Sequence, residues 1–374
     1  MREIAAIEIS ALVRELNDRF SSSYFKSFYE IGDNSFLILF SKERKDIAMY
    51  INLTKAINET EFREKAEAPS EFALEMRKRL DGCKLRGIRQ HKRDRIVIIE
   101  LTGKEERKLV IEMFDKGNIL LLNKDGIIDL AYVNKSFRNR SVRRGMTYSF
   151  PESKAKNFEA NGEGEVKLEL QELKGSEQKL IVALSHVFNL GPAYLESAIS
   201  RAGLDANAPA KSQEIEKGGL SKEMARLLSA VDMPEPTLYK RDDVCIDFAI
   251  APLAKYESDK GVQSVKFETL GKLLDSLYMG ERATKVDTEK AREIEELTAS
   301  IEKQRAQIEE LKAKAEDYKR IATKIFEHMN EINVLLDEAR KKKAKSAADI
   351  GSQFGNINVK GVDPKRKSIK IEMD

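Results

Sequence analysis

The sequence predicts an α+β fold that gives way to one very long helix, and three observations carry that prediction. Short β-branched and apolar runs at 24–29, 35–40, 47–52, 96–101, 109–114, 119–122 and 127–133 are bounded by Gly, Lys, Asn and Asp, as antiparallel strands are. Apolar residues at helical spacing precede those runs (Ile4, Ile7, Leu12, Leu16) and divide them (Phe72, Met76, Leu80). From Ile294 through Leu297, Ile301, Gln304, Ile308, Leu311, Ala315 and Tyr318 to Ala339, apolar steps of three and four make a sustained heptad seam.

Taken in order, residues 3–16 form a helix that lays its apolar stripe on the sheet and carries Glu8 near its start. Gly32-Asp33-Asn34 turns the first strand into the second. Ser70 suits the N-cap of the second helix and Glu71 its positive end, while Asp81-Gly82 breaks it. The strand from 127 follows a turn at Gly126, and Gly145, Tyr148 and Pro151 close the domain. Residues 152–176, rich in Glu, Lys and Gly, have the composition of a linker or exposed excursion. Then come a helix over Leu180, Leu184, Val187 and Phe188, a turn at Asn189-Leu190-Gly191-Pro192, and a helix over Tyr194, Leu195, Ala198 and Ile199. That is the shape of a helix-hairpin-helix, whose turn can face phosphate, although any αα-hairpin uses the same punctuation. A further helix over 220–228 ends at Pro234 and Pro236, and strands at 243–253 and 265–267 return to the main body. The seam helix spans 293–342, about 75 Å at 1.5 Å per residue, and needs a partner because its stripe otherwise faces water. A turn at Asp363-Pro364 and a strand at 368–372 end the chain without a capping element, as a fragment of a longer polypeptide would.

Composition bounds the function. At 374 residues the chain divides into two or three domains, placed at 1–175, 176–232, 233–287 (a segment returning to the first domain) and 288–374. Charged residues make up 34%, above the usual quarter, yet 66 Lys and Arg against 63 Asp and Glu leave only +3. A nucleic-acid site must therefore be a local patch. Cys83 and Cys245 lie far apart and the histidines are only His91, His186 and His328, so neither a disulfide framework, a metal site nor a cofactor is expected. No signal or membrane segment is visible, which reads as a soluble cytoplasmic protein.

Two cationic stretches stand out. The first holds Lys84, Arg86, Arg89, Lys92, Arg93 and Arg95 against the single acid Asp94. The second, 135–144, holds Lys135, Arg138, Arg140, Arg143 and Arg144 with no acid and with Phe137 interleaved. Arginine forks match phosphate and aromatics stack on bases, so the pair reads as an RNA surface. A charged strand edge that blocks aggregation is the alternative for the first stretch.

The chain resembles the RqcH/NEMF family of ribosome-associated quality-control factors, once labelled fibronectin-binding-protein-like, and within it an archaeal member. The residues are Gly87-Ile88 with Gln90, Asp94-Arg95-Ile96, Ile111-Glu112-Met113-Phe114, Gly117-Asn118-Ile119-Leu120-Leu121, and Gly145 with Tyr148 and Pro151. The resemblance implies an NFACT-N domain related in shape to formamidopyrimidine-DNA glycosylases, a helix-hairpin-helix module and a coiled-coil arm. It also implies binding to the large ribosomal subunit with obstructed peptidyl-tRNA, contacts to tRNA and rRNA, and recruitment of tRNA, notably for alanine, for template-free tailing of the stalled chain. The family's Asp-Arg pair maps onto Asp94 and Arg95, and Glu8 stands where the family usually has Asp. The resulting tRNA-contact set is Glu8, Lys92, Arg93, Asp94, Arg95, Arg138, Arg140, Arg143 and Arg144 in a factor without catalysis of its own. Two other readings are a glycosylase-like enzyme acting on DNA, and an adaptor that self-associates through the arm. An internal Asp94–Arg95 ion pair is the purely structural reading of that motif.

Overall fold

The computed structural model describes residues 2–373 apart from 33, 63–68, 154, 157–161, 216–218 and 352. Asp33 of the predicted turn and part of the 152–176 excursion thus lie outside the described residues. The chain forms two compact units, Met1–Ala283 and Thr284–Asp374.

The first unit is built on nine antiparallel strands: β1 (Tyr24–Gly32), β2 (Ser35–Lys42), β3 (Lys45–Asn52), β4 (Ala56–Thr60), β5 (Lys84–Gln90), β6 (Ile96–Thr102), β7 (Glu106–Glu112), β8 (Asn118–Leu122) and β9 (Ile128–Ala131). Their order in the sheet is β4-β3-β2-β1-β5-β6-β7-β8-β9. Two meanders therefore meet at β1 and β5, where the register holds a single partner pair, Tyr24 with Lys84. Helix α1 (Ala6–Phe20) buries Ile7, Ile9, Leu12, Leu16 and Phe20. It spans the junction: Asn17 accepts from Ile88 N on β5 at 2.8 Å, and Arg19 pairs with Glu59 on β4 at 2.7 Å. Helix α2 (Glu71–Leu80) starts at Ser70, whose hydroxyl accepts from Ala73 N at 3.2 Å, a cap worth about 1 kcal/mol. The α+β class is as the sequence predicts.

The differences have local causes. Residues 3–5 are extended rather than helical, because Ile4 N donates to Thr54 O and Ala5 is the N-cap. Strand β5 sits inside the first cationic stretch, with Leu85 and Ile88 inward, and its Lys and Arg hide the alternation. A bulge between Leu85 and Gly87 breaks the period further. Strand β4 was too short and polar to be seen. Beyond a two-strand ribbon of β10 (Lys135–Ser136) and β11 (Ser141–Val142), the predicted linker contains helix α3 (Glu163–Glu172), which buries Val166 and Leu170. Helices α4 (Leu180–Val187), α5 (Pro192–Arg201) and α6 (Leu220–Ser229) follow. The returning strands, β12 (Thr237–Arg241), β13 (Val244–Ala249) and β14 (Gln263–Lys266), make their own sheet in the order β13-β12-β14 and do not join the nine-stranded one. The short α7 (Ala254–Glu257) lies between β13 and β14. The main core runs from Ile4 to Tyr278 and takes in both meanders, α1–α6, β12 and β13, while Ile96, Ile98, Val110, Leu120, Leu122, Ile128 and Val142 form a second cluster.

Helix α8 (Leu270–Glu327) begins in the first unit, where Glu15 of α1 accepts from Leu270 N at 2.9 Å and Gly271 N at 2.8 Å. A carboxylate here satisfies the free amides and the positive end of the helix together. In the second unit the seam residues Ile294, Leu297, Ile301, Ile308, Leu311 and Tyr318 are exposed. The seam helix is also divided: α9 (Met329–Lys341) starts anew after His328. It packs Leu335 against Ile350, which precedes the terminal sheet, and against Ile357 and Val359 within it, the sheet being β15 (Gln353–Phe354), β16 (Ile357–Asp363) and β17 (Ser368–Met373).

Gly117 marks where the turn into β8 presses on the neighbouring chain. Its φ is +71°, and a Cβ there would come within 2.8 Å of Leu53 O. Gly117→Ala is expected to cost about 3 kcal/mol, combining left-handed strain and overpacking. Gly126→Ala shares the positive φ (+77°) but meets nothing within 4 Å, and should cost only about 1 kcal/mol. Thermal melts of the two variants check the difference.

Candidate nucleic-acid interface

The β5–β6 turn carries the first cationic stretch to its tip. Lys92 and Arg93 adopt φ of 42° and 50°, a left-handed pair that non-glycine residues occupy only when their surroundings hold them. The holding groups are visible. Gln90 Nε2 donates to Asp94 O and to Ala6 O, both at 2.8 Å, latching the turn to α1. From the α4–α5 turn, Asn189 Nδ2 donates to Arg93 O at 3.1 Å and to Asp94 Oδ1 at 3.0 Å. Ser153 Oγ donates to the same carboxylate oxygen at 3.2 Å.

Burial pushes the Asp94 carboxyl above its usual range, with Ser153, Lys92 and Arg95 opposing. Asp94 and Arg95 are not an ion pair with each other: Arg95 pairs instead with Glu3. Lys92 is exposed and Arg93 half-buried.

The second stretch divides. Arg138, Arg143 and Arg144 are exposed, and no carboxylate lies within ion-pair distance of them among the described residues. Arg140 does not belong with them. Its side chain is 7% exposed and pairs at 2.6 Å with Glu112, itself 3% exposed. Tyr148 donates to Glu112 at 2.9 Å, and the Arg140 guanidinium lies 4.7 Å from the Phe137 ring centroid. Burial would lower the Arg140 pKa, but Glu112 outweighs it and raises it. Arg140 is thus held in a buried ion pair within the hairpin, unlike the three exposed arginines beside it.

Glu8 is likewise internal. Fully buried, it accepts from Ala5 N at 2.7 Å, from Arg2 and from Tyr194 OH at 2.7 Å. Arg2 continues to Asp247 at 2.8 Å, which also takes Lys255 at 2.9 Å. Burial would raise the Asp247 carboxyl, yet Arg2 and Lys255 bring it below the ordinary value. Glu8 thus ties the start of α1, through Arg2, to the β12–β13 sheet, and it has no exposed surface.

One aromatic stack connects the two stretches. His91 lies flat on Phe150, with centroids 3.6 Å apart and 3° between planes, and Tyr148 meets Phe150 edge-on at 5.0 Å. Phe150 is 38% and Phe137 41% exposed. Burial, Lys92 and Arg89 hold the His91 pKa below its usual value, favouring the neutral ring. Among the described residues no group of three or more His, Cys, Asp or Glu is placed to hold a metal ion.

A family model described as NFACT N-terminal and middle domains matches residues 6–351. The chain belongs to that family. The resemblance to RqcH/NEMF proteins therefore holds. This NFACT chain is 27% identical over 300 residues to the archaeal Rqc2 homolog aRqcH of Methanocaldococcus jannaschii, which covers 78% of this chain and 44% of the relative. It is 23% identical over 311 residues to the human ribosome quality control complex subunit NEMF, covering 77% and 29% of the two chains. The chain thus spans less than half the length of these relatives. Among solved structures, the N-terminal part of the Streptococcus suis fibronectin/fibrinogen-binding protein matches with a TM-score of 0.58 at 20% identity, over 74% of this chain and 99% of that one. The Staphylococcus aureus fibrinogen binding protein matches with a TM-score of 0.57 at 17% identity, over 73% and 98%. These two likenesses show the fold alone. No helix among the described residues is long and apolar enough to cross a membrane.

Much of the NFACT motif set proves to be scaffold. Gln90 is a latch, and Asn118 bonds both Val133 N (3.0 Å) and Val133 O (2.8 Å), while Tyr148 completes the Glu112–Arg140 pair. Sequence reasoning missed His91, Phe150, Ser153 and Asn189. Phe150 had a signal, an aromatic beside Tyr148 close to a cationic run. Asn189 had none, since it reaches Asp94 across 95 positions.

Proposed function

We propose that this NFACT chain is a ribosome-associated quality-control factor that receives tRNA on the Asp94–Arg95 turn and the adjoining arginine hairpin. The observation that carries the reading is the set of exposed cations that form no ion pair among the described residues, Lys92, Arg138, Arg143 and Arg144, on the two turns that also carry the exposed rings of Phe137 and Phe150. Cations of this kind neutralise phosphates, and aromatic faces accept unpaired bases. The names of the relatives supply the ribosomal context. In this reading the chain binds the large subunit carrying obstructed peptidyl-tRNA, recruits tRNA of the alanine type for template-free tailing, and leaves peptide-bond formation to the ribosome in the cytoplasm. The helix-hairpin-helix turn serves by bracing Asp94 through Asn189, and the exposed seam of α8 pairs as a coiled-coil arm with another arm, a second copy or another protein.

The test is binding of the chain to uncharged and alanylated tRNA at two salt concentrations, beside Asp94→Asn, Arg95→Ala and the triple Arg138/Arg143/Arg144→Ala variant. Affinity should fall steeply with salt, and the triple variant should flatten that slope by about two to three phosphate equivalents. Asp94→Asn keeps both hydrogen-bond partners while removing the charge. Because the folded-state pKa of Asp94 is raised, its ionisation lowers stability as pH rises from the unfolded value of 3.8 through the folded one, and that loss persists at pH 7. Asp94→Asn should therefore melt at or above the wild-type temperature at pH 7, yet bind tRNA about tenfold more weakly. Unchanged binding in all three variants would defeat the reading.

A further inference from the structure

The β5–β6 turn and the segment that closes the arginine hairpin meet through two rings, and both rings are positioned by bonded neighbours. His91 N donates to Ile96 O at 2.9 Å and His91 O accepts from Asp94 N at 2.7 Å, which fixes the His91 backbone on both sides. Phe150 rests against Tyr148 at 5.0 Å between centroids, and the Tyr148 hydroxyl donates to Glu112. The two rings stack 3.6 Å apart and nearly parallel.

An aromatic pair that only filled a core would be buried, as Phe28 and Phe36 are. Here Phe150 is exposed and His91 only half-buried, so part of the stack forgoes hydrophobic stabilisation. The surroundings specify what would cover it. Lys92, next to His91, and Arg143 and Arg144, shortly before Phe150, are exposed and form no ion pair among the described residues. A flat apolar surface bordered by such cations fits a base joined to its phosphate, whereas an apolar peptide would gain nothing from the cations and a free carboxylate nothing from the rings. Burial, Lys92 and Arg89 hold the His91 pKa below its usual value, so at pH 7 the ring offers a neutral π face.

We infer that the His91–Phe150 pair is a stacking site for one unpaired base of an RNA chain, with Lys92 neutralising a phosphate beside that base. On the tRNA reading above, on which this site depends, the pair makes the interface select a loop, bulge or overhang, whose bases are free, over a helical stem. The arginines supply affinity without that preference.

The experiment gives the whole chain three RNA duplexes: one with a single bulged 2-aminopurine, one with an abasic bulge, and one fully paired. Quenching of 2-aminopurine fluorescence reports stacking, and anisotropy reports affinity. Wild type should quench the bulged base and bind that duplex about tenfold more tightly than the other two. His91→Ala and Phe150→Leu should abolish the quenching and the preference with the salt dependence unchanged, while His91→Phe keeps both. Arg143→Ala with Arg144→Ala should flatten the salt dependence and retain the quenching. The abasic comparison is made on wild type, so it decides the matter even where a variant does not fold. Equal wild-type affinity for the three duplexes overturns the site, as does quenching that survives in both His91→Ala and Phe150→Leu. Salt-sensitive tRNA binding weakened by the arginine variant would then leave the tRNA reading standing, whereas failure to bind any of these RNAs or tRNA would remove both.

Discussion

Glu8→Ala is expected to lower the melting temperature of the Met1–Ala283 unit by about 10 °C, the largest effect of any single substitution considered. Removing one member of a buried charge pair costs about 3–5 kcal/mol, because the partner stays buried and uncompensated. Here the loss is compounded. The Ala5 amide loses its acceptor at the start of α1, and the fully buried Tyr194 hydroxyl loses the group to which it donates. Ile250 N, which donates to that hydroxyl at 2.9 Å, is then tied to an unanchored ring. Differential scanning calorimetry checks the magnitude, at about 2–4 °C per kcal/mol for a unit somewhat smaller than this one. Glu8→Gln, which keeps an acceptor and the shape, should fall between. If Glu8 contacted tRNA instead, Glu8→Ala would melt near wild type and lose only binding.

The second large effect separates two roles that the sequence alone left merged. Arg140→Ala should destabilise by about 3–5 kcal/mol through the stranded Glu112 carboxylate, whereas the double change Arg140→Met with Glu112→Leu should recover most of that loss. Melting curves of the single and double variants read the coupling directly. With the fold restored, tRNA affinity should stay within about threefold of wild type, since no phosphate contact has been removed. Arg143→Ala with Arg144→Ala should show the opposite: stability near wild type, as surface changes usually leave it, and weaker, less salt-sensitive binding.

What could be read in advance followed from how local each signal was. Strands such as Ile96–Thr102 and the Ser70 cap of α2 depend on neighbours in sequence, and they emerged close to their final bounds. Strand β5 did not, because Lys84, Arg86 and Arg89 supply its solvent face and imitate a charged loop. At the candidate site the same limit applies more sharply. Arg138, Arg140, Arg143 and Arg144 are equivalent in sequence, and only the position of Glu112, 28 residues away, distinguishes the buried one. In sequence Glu8 is an acid near the start of an amphipathic helix, assigned to the tRNA-contact set by resemblance alone. Its burial depends on Tyr194 and on the strand segment that positions Asp247, both supplied much later in the chain.

The junction between β1 and β5 has a consequence for how the molecule holds and loses structure. Within each meander, successive strands are joined by short turns, so ladder contacts are local and loop closure costs little entropy. Across the junction the register has one pair, flanked by Phe25 N to Cys83 O and Leu85 N to Ser23 O, both at 2.8 Å. The sheet is therefore two cooperative folding blocks laid edge to edge, with α1 stapling them from one face. The Asp94 turn belongs to the β5–β9 block, and Glu59, which Arg19 of α1 holds, to the β1–β4 block. A lesion confined to either can loosen its own block while the other keeps its ladder, whereas a lesion in α1 releases both.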